Sequence, residues 1–156
     1  MRWVMAFLAA LVVATALGTA ASTHFVLEGL VATGAEIPFA DRVSAVGQEL
    51  VGLGPTYAAV VAPALLLLLA AGTFLLRAVP FPPLLVFPTA GALALLATMA
   101  ALPMIFGIMP ISGARSGDGV AAQMVGGLVA GLVFALVRGG ASGAAAAASA
   151  RGRIQR

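Results

Sequence analysis

His24 and Glu28 stand four residues apart, one turn of a helix, and form the one adjacent pair in the chain suited to exchanging a proton. Histidine titrates near neutral pH, so a partly buried pair of this kind serves as a proton relay or pH sensor, whereas at a membrane interface it is simply a polar pair. Arg115 and Asp118 make a second candidate. They sit in the run Pro-Ile-Ser-Gly-Ala-Arg-Ser-Gly-Asp-Gly ending at Gly119, where tight turns leave backbone amides free to face an anion. The structural alternative is an Arg–Asp pair that pins the loop. Gln123 is the third, because an amide placed in hydrocarbon must find a hydrogen-bond partner.

Around these residues the usual apparatus of catalysis is missing from the sequence. There is no cysteine, so thiolate nucleophiles, disulfides and Cys-type metal sites are excluded. One histidine cannot supply both axial ligands of a haem, and a zinc site would need carboxylates or a second subunit. The five acidic residues form no HExxH, carboxylate cluster or phosphate loop. No catalytic residue, metal ligand or cofactor is therefore expected, and an enzyme is not the favoured class. All eight basic residues are Arg and none clusters among aromatics, so nucleic acid is not an expected partner.

The elements that carry these residues are membrane spans. With 62% hydrophobic and 8% charged residues in 156, the chain is far more apolar than a soluble domain, where about a quarter of residues are charged. Residues 3–21 hold no ionisable group and are enough to cross a hydrocarbon layer of about 30 Å as a helix. Further apolar runs cover residues 55–76, opening with Pro55, then 84–108 after the stiff Pro-Phe-Pro-Pro connection, and 120–137. The expected fold class is an all-α membrane protein with four transmembrane helices. A cleavable signal peptide is the rival reading of residues 1–21, with its basic start and small residues at Thr19 and Ala21.

Basic residues near span ends favour the cytoplasmic side. With both termini inside, that side carries Arg2, Arg77, Arg138, Arg151, Arg153 and Arg156, against Arg42 and Arg115 outside, and all five acids fall outside. The expected location is a bacterial-type inner membrane, with the bilayer as the first partner.

Between the first two spans, Phe39, Val43, Val46, Leu50 and Leu53 recur at helical spacing, predicting an outer amphipathic helix over residues 38–53. Gly119, Gln123, Gly127 and Gly131 are spaced by four on the last span, a groove that admits another helix of this chain or of a neighbouring subunit. Ala10, Ala14, Gly18 and Ser22 form a matching stripe on the first. Thr15, Thr19 and Thr23 run beside it, each able to bond the carbonyl one turn back. Pro63 and Pro103 are expected to kink their helices. Residues 139–156, rich in Ala, Gly and Ser and ending in three Arg, suggest a flexible basic cytoplasmic tail after a membrane domain of residues 1–138.

Val51-Gly-Leu-Gly-Pro55 entering a span, the Pro-Ile-Ser-Gly-Ala-Arg115 loop, Gln123 and the glycine-rich last span together resemble small four-span bacterial inner-membrane proteins of unassigned function. The resemblance covers residues 1–138. It implies the same four-span plan and brings no activity or binding residue.

The function expected from these features is an accessory or structural subunit, associating with another membrane protein or with copies of itself through small-residue helix faces. One alternative is a minor transporter or channel for a neutral or apolar molecule. The other is a membrane enzyme using His24 and Glu28. No ionisable group lies deep in any span, which disfavours a charge-coupled pump.

Overall fold

A computed structural model of the chain describes residues 1–108 and 111–154, with backbone alone for residues 112 and 140–154. Five α-helices follow in order: α1 (Arg2–Ala32), α2 (Phe39–Gly52), α3 (Gly54–Ala78), α4 (Pro83–Phe106) and α5 (Gly117–Ile154), with a single 3-10 turn at Ser112–Ala114 before α5. Among the described residues there is no strand. Helices α1, α3, α4 and the first 23 residues of α5 are each long and apolar enough to cross a membrane, so the chain is a multi-pass membrane protein by length and composition.

The spans outlast the apolar runs that announced them. No helix breaker follows residue 21, so α1 continues to Ala32, about 46 Å at 1.5 Å per residue and well beyond a hydrocarbon core of about 30 Å. Thr33 and Gly34 end it, the latter at φ +96°, a conformation that suits glycine. Gly107, at φ +70°, closes α4 two residues earlier than the hydropathy run suggested. Helix continues through Pro63 in α3 and through Pro88 and Pro103 in α4. Composition pointed to a flexible tail from residue 139, but the backbone is helical to Ile154, in keeping with the high helix propensity of its alanines. The side chains of Arg151, Arg153 and Arg156 lie outside the described residues.

One seam sets the bundle's geometry. A Cβ built on Gly91 of α4 would fall on the Gly127 carbonyl of α5; one on Gly127 would fall on the Gly91 carbonyl, and one on Gly131 on the carbonyl of Phe87. The two backbones are thus in direct contact, an approach open only to glycine. On its other side α5 receives α1 through Gly126, which faces Leu17 and Gly18. Ala6, Ala10, Ala14 and Gly18 make the buried stripe of α1. Helix α3 closes the core with Val61, Leu65 and Leu69, all fully buried.

Candidate functional site

The two ends of this bundle hold different polar groups. At the end where α1 begins and α3 finishes, Thr73 is the hub: its hydroxyl donates to the Leu69 carbonyl (2.9 Å) and accepts from Trp3 Nε1 (3.3 Å) and from Arg138 (3.1 Å). One donor and two acceptor positions are the whole capacity of a hydroxyl. The Arg138 guanidinium also lies 5.3 Å from the centre of the Phe87 ring, a cation–π contact. Phe134 meets both Phe87 and Trp3 edge-on, and Trp3 stacks on Phe7. Arg2 and Arg77 are exposed at the same end.

At the opposite end the hub is Gln123, fully buried in the second turn of α5. Its amide nitrogen donates to the Gly18 carbonyl and to Ser22 Oγ, both at 3.0 Å, and its carbonyl oxygen accepts from the Tyr57 hydroxyl. Three helices thus converge on one amide, whose two protons and acceptor are all in use. A Cβ on Gly18 would strike the Tyr57 hydroxyl. Glycine at residue 18 therefore makes room for the Tyr57–Gln123 bond. Tyr57 was not singled out in the sequence; its one signal is that it is the chain's sole tyrosine, one residue past the Pro-Thr that opens the span.

Gly119 belongs to this end for a different reason. A Cβ there would land on the Gly113 carbonyl, and Gly113 in turn lies against the Ser22 backbone, so the pre-α5 loop is seated on α1. Ser116 caps α5, its Oγ accepting from the Gly119 amide at 3.1 Å. The loop is therefore held by backbone packing and a helix cap. Arg115 and Asp118 are both exposed.

The His24 and Glu28 side chains share a face of α1 but are not bonded to each other. Glu28 is engaged by Arg42 at 2.8 Å in an exposed ion pair that ties α2 to α1. His24 is exposed, with its ring edge-on to Phe25, and lines an open groove with Ile37, Phe39, Arg42 and Val43. Neither residue is buried enough for a relay. Among the described residues no group of three His, Cys, Asp or Glu is placed to hold a metal.

The Thr series divides. Thr23 returns its hydroxyl to the Thr19 carbonyl at 3.0 Å, as its spacing predicts. Thr15 and Thr19 do not: both hydroxyls are buried without a partner among the described residues. Sequence spacing permits the bond one turn back but does not decide the rotamer.

The chain matches no family model, no curated protein and no solved structure.

Proposed function

We propose that this chain is an accessory or structural subunit of a bacterial-type inner-membrane assembly, with both termini on the cytoplasmic side. The observation that carries this reading is α2. It has an apolar stripe and yet contains no buried residue; on that stripe Phe39 is 79% and Val43 56% exposed. Monomeric proteins seldom leave a contiguous apolar surface uncovered, and α2 stands at the end of the bundle beside the projecting part of α1.

The glycine faces that motivated subunit association are occupied within the chain, Gly127 and Gly131 by α4 and Gly126 by α1. Association then falls to α2 and to the lipid-facing sides of the spans. Orientation is supported by the charges: Arg2, Arg77 and Arg138 lie at one end without acids, while the other end carries Arg42 and Arg115 with all five acids. A conducting path for a neutral solute is less well supported. Beyond Gln123 the interior is filled by Ala10, Ala14, Val61, Leu65 and Leu95, each fully buried.

The test is mass spectrometry of the complex extracted in mild detergent by a tagged chain. A foreign protein in fixed stoichiometry, lost in a Phe39→Glu, Val43→Glu variant, is the expected result. A chain recovered alone or only with copies of itself would overturn the reading.

A further inference from the structure

A cavity of about 270 Å³ opens at the Gln123 end of the bundle, bounded by α1, α2, α3 and α4. Val26, Val60 and Leu102 give it apolar walls, Thr19, Ser22 and Tyr57 bring hydroxyls to it, and the exposed Thr56 stands at its rim. At about 30 Å³ of liquid volume per water, it has room for about nine, close to the lower bound of small-molecule sites.

The hydroxyls are not equivalent. Tyr57 has its proton committed to Gln123, and Gln123 has both of its own committed to Gly18 and Ser22. Ser22 only accepts there, and its own proton meets no acceptor among the described residues. Thr19 is 3% exposed and its Oγ1 has no partner among the described residues. Thr23, Thr73 and Thr98, buried to a similar degree, each return to a carbonyl one turn back. A buried hydroxyl without a partner is costly, and here two leftover donors border one apolar cavity. These two donors call for an acceptor, while the Glu49 carboxylate on the same lining repels an anionic headgroup.

We propose that this cavity binds a small neutral amphiphile, an alcohol, ketone or ester whose oxygen accepts from Thr19 and Ser22 while its apolar chain lies along Val26, Val60 and Leu102. The oxygen can come from the ester of a bilayer lipid or from a free solute. The inference is independent of the subunit reading, and the two tests fail separately.

The full chain in detergent would be photolabelled with 3-azioctanol, a diazirine-bearing alcohol, and the labelled residues mapped by mass spectrometry. Labelling at the cavity wall, displaced by excess octan-1-ol and reduced at least fivefold both in Val60→Phe, which fills the space, and in Thr19→Val, which removes a donor, is expected. Repeating the labelling in vesicles assigns the source. Loss in ester-linked phosphatidylcholine with return in its ether-linked analogue identifies the lipid ester, whereas labelling in both identifies a free solute. Label spread over lipid-facing residues such as Leu67 and Leu85, indifferent to octan-1-ol and to both substitutions, would overturn the proposal.

Discussion

The two ends of the bundle solve the same problem differently. At the Thr73 end, a hydroxyl is used to capacity and is surrounded by Trp3, Phe7, Phe87 and Phe134, with Arg138 laid over a ring face. At the Gln123 end, an amide has both protons and its oxygen bonded, but the space beside it is open and Thr19 is left over. Aromatic side chains fill volume where small ones cannot, and in lipid, packing and hydrogen bonds carry the association that water drives elsewhere. A saturated, filled end is built for stability. An unsaturated, hollow end trades some stability for a place to hold something.

The sharpest perturbation is Gly127→Leu, which strikes the seam common to both ends. No rotamer can avoid the Gly91 carbonyl, so folded, monodisperse material should be lost on size-exclusion chromatography in detergent. Phe134→Ala then tests the filled end: it should lower stability by about 3 kcal/mol, the usual cost of emptying an aromatic site, in a reversible denaturation titration. Gln123→Leu keeps volume but strands the Tyr57 hydroxyl, and about 1–2 kcal/mol should be lost. If the Gln123 loss instead matches that of Phe134→Ala, the ends are equally structural and the contrast fails. Thr19→Val should raise stability by about 1 kcal/mol, because it removes a buried hydroxyl that has no bond to lose among the described residues. Arg42→Ala, which breaks the exposed pair with Glu28 and a long bond to the Ile37 carbonyl, should leave the melting temperature unchanged within error.

Much of this fold was legible before any coordinates. Unbroken apolar runs identified all four membrane-capable helices, and the alternating four- and three-residue spacing of Phe39, Val43, Val46, Leu50 and Leu53 gave α2 nearly to its ends. Hydropathy could not see that α1 runs on to Ala32, since a helix continues past the membrane wherever nothing stops it. The glycine stripe was visible on α5, but its counterpart Gly91 lies in a run of Ala and Leu with no spacing of its own. The polar site was legible in half: Gln123 demanded a partner, while Tyr57, 66 residues away, became one only through tertiary packing. Nothing in the pattern distinguished Thr19 from Thr23, because their difference is a rotamer set by neighbours on other helices. The spacing of His24 and Glu28 likewise could not show that Arg42 engages the carboxylate from α2.

The bond from Gln123 to Gly18 joins residues 105 apart in the chain, and it sets a timetable. During synthesis α1 emerges first, yet the helix that covers Ala10, Ala14 and Gly18 emerges last. At about 5–20 residues per second, that face waits roughly 5–20 s for its partner. Through that interval the nascent protein depends on its insertion machinery or on lipid to shield a groove of alanines. A ribosome stalled before α5 would leave a membrane-inserted but unassembled chain for quality control to remove.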